Sequence, residues 1–130
     1  MSDPLDGIIW LYRGVPIESP EVNDVRAVRE IVPPRPDRRG ENWRQLHVLG
    51  NTETAYTSWT TNRESAVMAG EFCSDNAILS GQIVVFQVRL SSIARNRIFF
   101  GNESEDEVLI EGTIEDIAIS FREPDDESEG

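Results

Sequence analysis

Six short runs rich in β-branched and aromatic residues, at 8–15, 56–61, 82–90, 98–100, 107–110 and 113–121, constrain this chain more than any other feature of its sequence. Runs of that length and composition suit strands buried on at least one face. None approaches the roughly 20 apolar residues that a bilayer-spanning helix needs. Two helical patterns lie among them. Val22, Val25, Val28, Ile31 and Val32 recur at three and four, from a Pro20-Glu21 start to a Pro33-Pro34 stop. The second, 63–73, follows Asn62, a polar cap. Residues 33–50 read as a proline- and charge-rich surface loop leading into a short turn or helix around Trp43, Leu46, Val48 and Leu49, and residues 74–81 as a loop. At 130 residues with 38% hydrophobic content, one domain with one modest core is expected over 1–121. Residues 122–130, REPDDESEG, have no apolar side chain and are expected to form a solvated, mobile tail. Trp10, Trp43, Met68 and Phe72 are expected in the core.

Charge narrows the function classes. The formal net charge is −12, yet 12 of the 24 acidic residues fall in 101–130 against Arg122 alone, so the first 100 residues are nearly neutral. All 12 basic residues are arginine, which makes every side-chain cation a planar guanidinium. A nucleic-acid partner is disfavoured, because phosphate backbones are bound by basic patches. One cysteine, Cys73, and one histidine, His47, provide neither an intramolecular disulfide nor a zinc cluster, so no metal is expected and both residues are expected to be incidental. The first residues, MSDPLDGIIWLYRG, lack the charged and apolar regions of a classical secretory signal. The expectation is action in the cytosol, with any export by another route, and no membrane association.

Three places carry residue types that packing alone does not explain. Arg13 ends an apolar strand; it can cover the strand end with its stem, or clamp a phosphate or carboxylate in bidentate fashion. In YTSWTT, Tyr56, Ser58 and Thr60 project from one strand face and Thr57, Trp59 and Thr61 from the other. The hydroxyls are either ordinary strand residues or groups that orient a carboxylate. In ESEDEVLI, strand alternation would project Glu105 and Glu107 together with Asp106 facing away. That run is either a solvated turn or a carboxylate pair suited to a developing positive charge.

The order of these elements adds to the reading. Tyr12-Arg13-Gly14 near the start, Ser58-Trp59-Thr60 followed by a helix, and Glu105-Asp106-Glu107-Val108-Leu109-Ile110 together resemble the arginine-serine-glutamate class of mono-ADP-ribosyltransferases of bacterial toxin and effector type. The resemblance spans residues 8–121, and Glu-x-Glu-Val-Leu-Ile is its most specific part. It implies an α+β split fold of two packed mixed or antiparallel sheets with flanking helices around an NAD cleft. It also implies NAD as co-substrate, with Arg13, Gly14, Tyr56, Ser58, Thr60 and Glu107 as its binding residues. Arg13 would meet the phosphates or ribose, Gly14 the nicotinamide amide. Ser58 would orient Glu107, Glu107 would stabilise the ribosyl cation, and Glu105 would position or deprotonate the acceptor. A Glu at 105 resembles the pattern of arginine-modifying members, so the implied partner is a protein presenting arginine, with a neutralising immunity protein as a second partner. Phe99 and Phe100, just ahead of the carboxylates, would belong to an acceptor-recognition turn or to the core. Trp59 and Thr60 depart from the family's Ser-Thr-Ser pattern, and the loop 74–81 lacks an aromatic and an arginine.

Two other functions are open at this point. Water as acceptor would make the domain an NAD glycohydrolase. An acidic immunity or adaptor module without catalysis would use the C-terminal charge to meet a basic partner.

Overall fold

In the computed structural model the described residues are 5–51, 53–72, 82–101 and 106–121, with backbone alone at 71, 72 and 121. The expectations for Cys73, Glu105, the loop 74–81, the tail 122–130 and the Phe72 side chain lie outside them. Each β-rich run yields a strand: β1 (Trp10–Pro16), β2 (Tyr56–Thr60), β3 (Ile83–Arg89), β4 (Ile98–Phe100), β5 (Glu107–Glu111) and β6 (Ala118–Phe121). The helices are α1 (Pro20–Val28), α2 (Glu41–Val48) and α3 (Arg63–Phe72). Among the described residues the fold is therefore mixed α+β, an antiparallel sheet in the order β4-β5-β2-β1-β3-β6 with three α-helices. None of those helices is long and apolar enough to cross a membrane.

The expectation of two packed sheets is corrected to one sheet that is nearly divided. β1 runs beside β3 through seven ladder pairs, Trp10↔Arg89 to Pro16↔Ile83, and β2 runs beside β5 through five. The central strands β1 and β2 share only Tyr12↔Thr60. Two three-stranded halves, β4-β5-β2 and β1-β3-β6, thus meet at one pair and diverge beyond it.

Local chemistry sets the helix ends. Ser19 caps α1, its Oγ accepting the Glu21 N–H at 3.4 Å, and Pro20 follows in the first turn. The helix ends at Val28, short of the expected Val32, because Arg29 takes a left-handed conformation (φ 59°) and returns its N–H to the Val25 carbonyl. Ile31 instead bridges Ile114 in extended pairing, and Asp116, also at positive φ, precedes a β6 much shorter than the run 113–121. Asn62 caps α3 as expected, its Oδ1 accepting the N–H of Glu64 at 2.8 Å and of Ser65 at 3.2 Å.

The main core lies on one sheet face. Leu11, Val15, Val84, Phe86, Val88, Trp59, Val108 and Ile110 pack there with Val22 and Val25 of α1. A smaller cluster of Ala55, Tyr56 and Leu109, joined by Trp43 and Phe99, occupies the other face. α3 lies on that second face, against β1. A Cβ on Gly14 would sit 1.8 Å from the Ala66 carbonyl oxygen, and one on Gly70 would sit 2.9 Å from Ile83 Cγ2, so helix and strand meet almost backbone to backbone. Ala66 and Gly70, four apart, face the sheet; Met68 lies on the opposite side of the helix and is 65% exposed. It is a surface residue, which corrects its expected place in the core. Gly14→Ala should destabilise the fold by about 3 kcal/mol through overpacking against an immovable carbonyl. The denaturant midpoint at unchanged m-value measures that loss.

Candidate functional site

The parting of β1 and β2 leaves backbone groups of β2 without a strand neighbour, and one arginine takes over at that point. Arg13 stands in the core-facing row of β1 between Leu11 and Val15, opposite Phe86. Its Nε and Nη2 donate to Glu21 Oε1 and Oε2 of α1 at 2.9 and 2.8 Å, a bidentate pair, and its Nη1 donates to the Ser58 carbonyl at 3.0 Å. A charge in an apolar row is tolerable only when paired and hydrogen-bonded, and both conditions are met. Of the two uses foreseen for Arg13, the structure displays the carboxylate clamp.

Ser58 projects from the opposite face of β2, and its hydroxyl donates to Glu107 Oε2 at 2.7 Å. The ladder explains the approach: Thr60 is paired with Glu107 and Ser58 with Leu109, so the Ser58 and Glu107 side chains share a face on neighbouring strands. Arg13, Ser58 and Glu107, separated by 45 and 49 positions, are thus linked through Ser58, by its carbonyl on one side and its hydroxyl on the other.

Two residues that sequence reasoning passed over complete the site. His47, at the end of α2, is buried with 6% exposure. Its Nε2 lies 2.9 Å from Ser58 Oγ and its Nδ1 2.8 Å from Thr54 Oγ1. It is not incidental, which corrects the expectation. Burial pushes its imidazole below the ordinary value of 6.5; the Glu107 carboxylate pulls it up and Arg13 pushes it down. The second residue is Gly101. Its N–H donates to the Glu107 carbonyl at 3.0 Å, and a Cβ there would fall 2.5 Å from Glu107 Oε1. The space occupied by the Glu107 carboxylate exists because residue 101 has no side chain.

The other expected site residues are placed as follows. Tyr56 is buried, and its hydroxyl accepts from the Gly40 N–H at 2.8 Å and from Arg44 Nη1 at 3.0 Å, tying α2 to the sheet. Thr60 Oγ1 accepts the Asn62 N–H at 3.1 Å, next to the cap of α3. Gly14 carries the close contact with Ala66. Asp106 has φ 52°, and β5 begins at Glu107. On β5 the same-face companions of Glu107 are Leu109 and Glu111, and Glu111 binds Arg39 at 2.9 Å.

Beside Ser58 and Glu107, on the sheet face they share, lies a cleft of about 580 Å³ bordered by Arg39, Gly40, Arg44, Arg97, Phe99 and Glu111. Arg44 stacks over Phe99 at 4.0 Å from the ring centroid. A neighbouring groove of about 590 Å³ is walled by Val48, Leu49, Phe99 and Phe100. Arg13, Ser58 and Glu107 line neither hollow. Among the described residues no group of three or more His, Cys, Asp or Glu side chains could hold a metal ion. No family model, curated protein or solved structure matches this chain.

The lowered His47 value fixes the sign of a pH effect. Because the folded-state pKa lies below 6.5, the unfolded chain takes up the proton first as pH falls. The stability tied to neutral His47 is present above that ordinary value and is lost as acidification proceeds down to the folded-state value. Denaturation midpoints of the wild type and of His47→Gln, compared from about pH 7.5 to about pH 5, should show this component in the wild type and not in the variant.

Proposed function

We propose that the domain cleaves NAD at the nicotinamide–ribose bond and transfers ADP-ribose to a protein side chain, arginine in the first instance, as an effector-type mono-ADP-ribosyltransferase acting in the cytosol. One observation carries the reading: the Ser58 hydroxyl held on the Glu107 carboxylate at 2.7 Å while Arg13 holds the Ser58 backbone at 3.0 Å. These are the three positions on which the resemblance to the arginine-serine-glutamate class rests. The near-division of the sheet at Tyr12↔Thr60 supports the split architecture that the same class implies.

The chemistry suits such a site. When the C1′–N1 bond breaks, its electron pair goes to the pyridinium nitrogen and nicotinamide leaves neutral, so no proton need be supplied. The cost is positive charge on the ribose, which a fixed carboxylate stabilises, as in glycoside cleavage. Glu107 is fixed by Ser58 and by the absence of a side chain at Gly101. An acceptor nitrogen then bonds to C1′ and gives up its proton to a base, the role assigned to Glu105. Arg13 has three of its five N–H groups engaged by Glu21 and Ser58; standing in the row opposite Glu107, it would serve by holding the β2 backbone that carries the Ser58 hydroxyl.

Phe100 at 47% and Leu49 at 82% exposure border the second groove with Val48 and Phe99, an apolar surface that favours a protein acceptor over water. Labelled NAD with whole-cell lysate separates the two: label in protein is the expected result, label only in free ADP-ribose makes the domain a glycohydrolase, and no release of nicotinamide ends the proposal. Glu107→Gln should lower nicotinamide release by a factor of roughly 100 to 1,000, the usual loss for one preorganised electrostatic group. Gly101→Ala should leave the unfolding midpoint nearly unchanged, since the flexible end of Glu107 can move aside. It should nonetheless lower turnover about 100-fold, because that movement takes the carboxylate off Ser58.

A further inference from the structure

A hydrogen count around Ser58 decides more than the position of one hydroxyl. Ser58 Oγ has a single hydrogen and two close neighbours, Glu107 Oε2 at 2.7 Å and His47 Nε2 at 2.9 Å. The carboxylate can only accept, so it takes the hydroxyl hydrogen. Ser58 Oγ must then accept from His47, which requires the ring proton on Nε2. The far side of the ring gives the same answer. Thr54 Oγ1 accepts the Tyr56 N–H at 3.1 Å and has its own hydrogen to place between His47 Nδ1 at 2.8 Å and the Tyr56 carbonyl at 3.4 Å. The shorter contact makes Nδ1 the acceptor. Donation therefore runs in one direction: Tyr56 N–H to Thr54, Thr54 to His47 Nδ1, His47 Nε2–H to Ser58, and Ser58 to Glu107.

We propose that His47 is a positioning residue, which as the neutral Nε2–H tautomer holds Ser58 Oγ and, through it, the Glu107 carboxylate in one orientation. The kinetic consequence rests on the role proposed above for Glu107; the tautomer does not. Without a second partner, Ser58 Oγ would be held by its bond to Glu107 alone. With the Nε2–H occupying a lone pair of Ser58, the hydroxyl hydrogen is left facing the carboxylate. Such chains polarise each member in turn, and every buried polar side-chain atom among the described residues has a partner. Thr54, with no exposed surface, fixes the ring from behind, as partners of functional histidines generally do. Both ring nitrogens end on hydroxyls, and the second of those hydroxyls rests on Glu107.

The chain has one histidine, so long-range proton–nitrogen spectra of the labelled ring report His47 without assignment. Near pH 7.5 the neutral Nε2–H form is expected, with ring nitrogen shifts that change in Glu107→Gln, where the final acceptor is altered. An imidazolium or an Nδ1–H ring in the wild type, or spectra indifferent to Glu107→Gln, overturns the proposal. With NAD as the probe, His47→Ala should lower kcat for nicotinamide release about tenfold, with KM changed by less than about twofold. His47→Gln, whose amide N–H can replace Nε2–H, should recover most of that loss. Equal losses in both variants, or an unchanged kcat in His47→Ala, would count against it. Wild-type protein that releases no nicotinamide would sink the proposed function, and the ring spectra would still decide the role of His47.

Discussion

The parting of β1 from β2 after a single ladder pair is the constraint from which the rest of the molecule follows. A sheet interior cannot leave carbonyl and N–H groups unsatisfied, and an uncovered strand edge invites foreign pairing. Here the gap is closed by a side chain, Arg13, which substitutes for a strand at the Ser58 carbonyl and is itself held by Glu21. A guanidinium suits this task because its fork can meet a carboxylate in two places and a carbonyl in a third. Replacing a regular ladder by one pivot residue frees the Ser58 hydroxyl side of β2 to be organised around Glu107.

That organisation is polar and partly buried, and its coherence comes from matching donors to acceptors along a path. Burial favours the neutral imidazole, and only a neutral ring can accept on one side and donate on the other. The direction of the pKa shift thus agrees with the direction of donation proposed for the chain. The arginine–aromatic contacts follow a related logic: with no lysine in the chain, guanidinium groups lie over Trp43, Phe99, Trp10 and Phe100. Flat cations shield aromatic surface that a small domain cannot bury.

Much of the scaffold is legible in the residues themselves. The two-residue period of 56–60 places Trp59 in the core and Ser58 opposite it, and the Asn62 cap marks the start of α3. Where local pattern misleads, a backbone torsion is responsible. Arg29 and Asp116 take positive φ and cut short a helix and a strand that hydropathy would continue. Asp106 does the same ahead of β5, so alternation pairs Glu107 with Leu109 and Glu111. Of the site, Arg13, Ser58 and Glu107 are legible as residues out of keeping with packing. His47 and Gly101 are not, because neither bears a local signature. The meaning of His47 arises from Thr54 and Ser58, brought to it across the turn after α2, and that of Gly101 from a strand pairing that sets it against a carboxylate. A lone histidine amid aliphatic residues gives no sign of what will face it.

The glycine seat of α3 has a mechanical meaning. Because Gly14 and Gly70 bring helix and strand into near-direct main-chain contact, no layer of rotatable side chains lies between them to act as a bearing, and sliding of one past the other is blocked by rigid atoms. Within the β1-β3-β6 half α3 is thus seated on main-chain atoms, and Tyr12↔Thr60 is the one ladder pair joining that rigid seat to the strand that carries Ser58.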